Sequence, residues 1–109
     1  MSNLENTPAE AVSRIHVLSA LSMIIDPELG INIIDMGLLY SADIDEQGKR
    51  ILITMTLSSR GCPMGTAIVG GAENILQSYF PGYTIEVQLV WEPAWSPDFI
   101  SEEGRQQLE

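Results

Sequence analysis

The chain has 109 residues, 45% hydrophobic and 18% charged, which suits one compact globular core and is too short for two. Its 15 acidic and 5 basic side chains give a net charge of −10, and no Lys/Arg stripe offsets it, so nucleic-acid binding is not expected. No apolar run approaches the roughly 18 residues that cross a bilayer, and the opening "MSNLENTPAE" lacks a basic and apolar leader pattern. We therefore expect one domain over residues 1–109, cytoplasmic by default and with no membrane contact. The single cysteine, Cys62, rules out an intrachain disulfide framework.

In chain order, "TPAEAVSRIHVLSALSMI" carries a helix-start signal, with Thr7 as cap, Pro8 in the first turn and Glu10 closing a capping box. Ala11, Ile15, Leu18 and Ile25 recur at helical spacing, and Val17, Leu21 and Ile24 widen that face. "DPELG" then ends the helix, because Pro27 disfavours helical geometry at Asp26 and Gly30 permits a turn. Two period-two runs follow, Leu38/Tyr40/Ala42/Ile44 and Ile51/Ile53/Met55/Leu57. The "EQGK" between them, with Gly48 expected at positive φ, makes the pair a β-hairpin.

Ile68, Val69, Ala72, Ile75, Leu76 and Tyr79 then form an amphipathic helical stripe that "PG" at 81–82 terminates. Gly70 and Gly71 inside it each cost about 1 kcal/mol relative to alanine. A third strand over "YTIEVQLVW" sets Ile85, Val87, Leu89 and Trp91 on one side. The tail is extended around Pro93 and Pro97, and Ser101 with Glu103 starts a short last helix. The order α-β-β-α-β, with that short C-terminal helix, predicts an α+β two-layer sandwich. Its small, mostly antiparallel sheet carries two long helices on one face and leaves the other wet.

Chemistry concentrates at "TLSSRGCPMG". Cys62 precedes Pro63 at the expected start of the second long helix, where free N–H groups and the helix dipole favour a thiolate. Ser58, Ser59, Arg60 and Gly61 lead into it with hydroxyls, a cation and a flexible hinge. Cysteine is also a small hydrophobe suited to a strand–helix junction, and local sequence leaves both readings open. His16 has no partner at ligand spacing and reads as an ordinary core or surface histidine. Asp26, Glu28 and Asp35 serve either as caps and turn residues or as oxygen ligands. Trp91 and Trp95 are candidate interface anchors. Trp91 is expected to finish the third strand facing the core, and Trp95 to fold back near the Cys62 loop.

Three stretches together, "DPELGINIIDMGLLYSADID", "TMTLSSRGCPMG" and "VQLVWEPAWSPDFISEEGRQQL", resemble the metal–sulfur cluster biosynthetic family, also called PaaD-like or SufT-like, from about Ile24 to Leu108. The resemblance implies a small α+β factor that matures or delivers iron–sulfur clusters rather than an enzyme. It implies Cys62 as the reactive position and a metal or cluster contact, with Asp26, Pro27 and Glu28 forming a loop that faces it. It further implies a transient iron–sulfur cluster or iron as cargo. The implied partners are the assembly machinery and client apoproteins, with a homodimer compatible. Some relatives hold further C-terminal cysteines, and this chain has none, so one copy cannot supply a four-thiolate cage. The competing expectation is a protein–protein adaptor in which Cys62 is structural.

Overall fold

The computed structural model describes residues 13–61 and 65–108. The helix start expected at Thr7, Pro8 and Glu10 lies outside them. Helix α1 spans Arg14–Leu21 and is capped by Ser13, whose Oγ accepts the His16 N–H while His16 Nδ1 accepts the Ser13 N–H. This is a capping box with histidine in the usual Glu/Gln place. Val17, Ala20 and Leu21 are the buried residues of α1, whereas Ile15 is 71% exposed. The apolar stripe is therefore rotated from the expected one. Ile25 has left the helix altogether.

Between α1 and the first long strand lie three elements too short to show periodicity. Strands β1 (Ile25–Asp26) and β2 (Ile31–Asn32) pair antiparallel around "PELG", with Gly30 at φ +73°. Helix α2 (Ile33–Met36) follows at once. The Asn32 side chain accepts the Asp35 N–H to cap it, and Gly37 ends it in the left-handed conformation at φ +81°.

Strand β3 (Leu39–Asp45) pairs antiparallel with β4 (Arg50–Met55), with a bulge between Leu39 and Ser41. At the turn, positive φ falls on Lys49 (+57°) rather than on Gly48. The Gly48 N–H donates to Asp45 Oδ1, and a Cβ at Gly48 would meet Asp45 Oδ2 at 2.6 Å, a contact the exposed carboxylate can relieve by turning aside.

Helix α3 (Gly65–Tyr79) crosses over to β5 (Thr84–Leu89), which pairs parallel with β4, giving the order β3-β4-β5. The architecture is the expected α+β one, but the three-stranded sheet is mixed rather than mostly antiparallel, because the α3 crossover brings β5 in parallel to β4; the β1–β2 ribbon is antiparallel.

The core joins Val17 and Leu21 of α1, Ile68, Ala72 and Leu76 of α3, and Ile51, Ile53 and Met55 of β4. Leu57 closes it just beyond the strand. Each fully buried aliphatic side chain contributes roughly 1.5–3 kcal/mol. The central strand keeps the expected parity, and the edge strand only half keeps it. Ile85 and Val87 are half-buried, and Leu89, expected in the core, is 37% exposed, facing the first turns of α3 across an open groove. Thr56, expected on the wet side, is fully buried just past the end of β4, where its N–H donates to the Leu38 carbonyl.

The tail after β5 folds back across the molecule. A 3-10 turn at Pro97–Phe99 leads to helix α4 (Glu102–Leu108), and Ser101 caps α4 through its Oγ, as expected. The same hydroxyl donates to Asp35 Oδ1, and the Ser101 N–H donates to the Asp35 carbonyl, so α4 is tied to α2.

Tyr40 fastens the tail a second time. Its hydroxyl donates to the Pro93 carbonyl at 2.6 Å, and its ring meets Phe99 edge-on. Burial pushes the Tyr40 pKa up, the Thr56 hydroxyl opposes this, and the Glu92 charge adds to it. A raised folded-state value keeps the phenol neutral in the fold longer than in the unfolded chain. Its contribution is therefore complete below the ordinary tyrosine range and lost as pH climbs through the folded value, above about pH 10. We expect denaturation midpoints followed from pH 8 to 11 to fall more steeply in the native chain than in Tyr40→Phe. Parallel curves would remove Tyr40 from the alkaline loss.

Candidate functional site

The site is built from two loops. The first, between β1 and β2, folds on Asp26. Asp26 Oδ1 accepts the Glu28 N–H at 2.8 Å, and its backbone carbonyl accepts the Gly30 N–H. This is the short-range self-bonding that makes Asp-Pro a turn former. It holds Asp26 inward, 1% exposed, and turns Pro27, Glu28 and Leu29 outward. The second oxygen, Oδ2, is buried without a hydrogen-bond partner among the described residues.

The second loop runs from Leu57 to Gly65. Its two ends meet, since a Cβ on Gly65 would lie 2.6 Å from Leu57 Cδ1. Within it Ser58 is half-buried, and Ser59, Arg60 and Gly61 are exposed. Cys62 and Pro63 lie outside the described residues. So do the expectations that Cys62 begins the second long helix, that its sulfur is accessible, and that Pro63 is the first helical residue.

The two loops touch. Ser58 Oγ donates to Glu28 Oε1 at 3.2 Å, and a cleft of about 160 Å³ separates Ile24, Ile25 and Pro27 from Ala67 and Ile68 of α3. The Asp-Pro-Glu loop thus borders the segment leading into Cys62 and the first turns of the helix that follows it.

Trp91, packed against the core as expected, also takes the place by the Cys62 loop expected of Trp95. Trp91 lies beyond β5 rather than finishing it and is half-buried. The Arg60 guanidinium stacks on its ring, 4.6 Å from the centroid, so Trp91 is the tryptophan found against the Cys62 loop. Trp95 instead donates its indole N–H to the Met36 carbonyl at 2.7 Å, satisfying the C-terminus of α2. Asp35 binds Asn32, Ser101 and the Ser101 amide, which is the capping alternative rather than ligation. His16 is an exposed cap residue. Thr56 was missed by the sequence reading, and its buried hydroxyl has no geometrically sound hydrogen bond among the described residues. No sequence signal separated it from the half-buried Thr54 one pleat earlier.

A family model described as "Iron-sulfur cluster assembly protein" matches residues 14–88. The chain belongs to that family. The resemblance carried by the three quoted stretches is confirmed at this level. Within the family, the chain is 42% identical over 79 residues to the Fe-S protein maturation auxiliary factor SufT of Staphylococcus aureus, covering 72% of this chain and 89% of that one. It is 41% identical over 86 residues to the Fe-S protein maturation auxiliary factor YitW of Bacillus subtilis, covering 79% and 83%. Its fold is similar to the crystal structure of a domain of unknown function from Bacillus anthracis, with a TM-score of 0.82, 34% identity and 97% of each chain covered. The family match takes in both site loops and stops at Gln88, before Trp91 and the tail. Among the described residues no helix is long and apolar enough to cross a membrane.

Proposed function

We propose that this protein is an accessory factor in iron–sulfur protein maturation, which engages a cluster, iron or a cluster carrier through Cys62 and passes it to client apoproteins. The observation that supports this most is Asp26 Oδ2, a carboxylate oxygen buried at 1% exposure with no partner among the described residues. A fold rarely leaves such a group unsatisfied without a use, because the lost hydrogen bonding costs about 1–3 kcal/mol. It sits in a loop that Glu28 ties to Ser58, four residues before the only cysteine.

Asp26 is a hard oxygen donor and Cys62 a soft sulfur donor, a mixed pair suited to iron held briefly rather than caged. The cargo completes its coordination from a second subunit, a partner or a small thiol, since the chain has one cysteine. A bound cation lets a thiolate and a carboxylate share one centre of charge. Loading is therefore coupled to charge neutralisation. The partners are the assembly machinery and client apoproteins, and the protein acts without turning over a substrate of its own. The relatives' names, as maturation auxiliary factors, accord with this accessory role.

Anaerobic incubation with ferrous iron and sulfide, followed by visible absorption, tests the reading. We expect a cluster charge-transfer band that an apo-client removes while gaining activity. Absence of any band, together with no effect on client activation, would rule the proposal out.

A further inference from the structure

A groove of about 410 Å³ runs between α3 and the end of β5, with Leu57 and Arg60 also in its lining. Leu57, Val69, Leu89 and Trp91 form its apolar walls, and its volume is in the range of sites that bury a small ligand or a few residues of peptide. Three features inside it are not accounted for by folding.

The first is Gly70. A glycine in the middle of a fifteen-residue helix is expensive, yet a Cβ at this position would meet nothing within 4 Å. No neighbour in the fold requires the side chain to be absent. What its absence creates is open floor in the groove.

The second is Leu89. It is 37% exposed on the side of β5 that should be covered, so the wall is apolar and bare.

The third is Arg60. The other three arginines each have an oxygen partner, in the Ala42 carbonyl, Glu86 and the Pro97 carbonyl. Arg60 has none among the described residues. Its guanidinium carbon lies over the Trp91 ring, 4.6 Å from the centroid, and its donors are left to pair with a carboxylate at the groove. At net charge −10, the chain has little else to attract an acidic group. Glu73 lines the groove further along α3, about 12 Å from Gly65 at 1.5 Å per residue, and repels a carboxylate at that end.

We propose that this groove receives a short segment of a partner polypeptide, with an apolar side chain lying over Gly70 and an adjacent carboxylate side chain paired to Arg60. The groove would then select partners by an acidic–apolar pair, independently of what Cys62 does. The apolar floor supplies contact area, and Arg60 and Glu73 set the direction in which the segment lies.

Selection from a random heptapeptide library displayed on phage, with Gly70→Leu protein as the counter-target, tests the proposal. The expected enrichment is of peptides with Asp or Glu one or two residues from Leu, Ile, Met or Phe. The leading peptide, made synthetically, should quench or shift tryptophan emission on titration. Its affinity should fall at least about tenfold with Gly70→Leu and also with Arg60→Gln, an exposed change that leaves the core untouched. Gly70→Leu should melt no lower than the native chain. No enrichment over the counter-target, enrichment of basic peptides, or binding indifferent to Arg60→Gln would each overturn the assignment. So would a concentration-dependent dimer abolished by Gly70→Leu, which would give the groove to a second copy of this chain.

Discussion

Replacing Cys62 with serine is expected to reduce client maturation to the level seen in cells lacking the protein, while the fold survives. Serine keeps the shape of the side chain but stays protonated at neutral pH, so it neither ligates iron as a thiolate does nor attacks an electrophile as readily. Arg60 and Gly61, which precede Cys62, are exposed, and the change from sulfur to oxygen leaves the backbone and side-chain shape alike, so the melting temperature should move by no more than about 3 °C. Client enzyme activity in a complemented deletion strain, read beside a thermal melt of the purified variant, separates the two outcomes. Normal maturation, or failure accompanied by a collapsed melt, would favour the structural thiol of an adaptor instead.

The second large effect is on stability, and it comes from Gly37. Its left-handed φ of +81° closes α2, and a Cβ there would lie 2.6 Å from Phe99 Cβ and closer still to the Phe99 carbonyl oxygen. Gly37→Ala therefore combines two penalties, about 1–2 kcal/mol for the left-handed backbone and about 1–3 kcal/mol for overpacking. A loss of about 2–5 kcal/mol should show in the urea midpoint. Amide exchange should accelerate first in α4 and around Trp95, whose indole bonds to Met36 directly beside Gly37. A midpoint unchanged from the native chain would mean that the tail yields freely and does not brace α2. Since α2 follows β2 without a break, loosening it should also loosen the Asp-Pro-Glu loop.

The sequence was most legible where one periodicity acted alone. In β4 every second residue from Ile51 to Leu57 is buried, because a central strand is covered on both edges and by helices on one face. In β5 the same alternation fades at Leu89, since no pattern within a strand tells how closely the covering helix packs on it. The two-residue strands β1 and β2 and four-residue α2 have no period to read. Their signals were the cap Asn32 and the terminator Gly37, present in "NIIDMG" and passed over beside the stronger hydrophobic runs. For the site, the resemblance placed Asp26 and Glu28 opposite the Cys62 loop, and the Glu28–Ser58 bond joins those loops. Which tryptophan faced that loop was not legible. Trp91 and Trp95 stand in similar proline-rich surroundings, and long-range partners, Arg60 for one and the Met36 carbonyl for the other, decide between them.

The central claim is that Cys62 is a thiol for cargo, and alkylation by a neutral thiol reagent across pH, with and without ferrous iron, tests it most directly. The account predicts that the native protein reacts without denaturant and that stoichiometric iron slows the reaction. Protection should weaken in Asp26→Asn, where the unpaired oxygen no longer carries charge. A thiol inert until denaturant is added, or one that iron does not protect, would contradict the account.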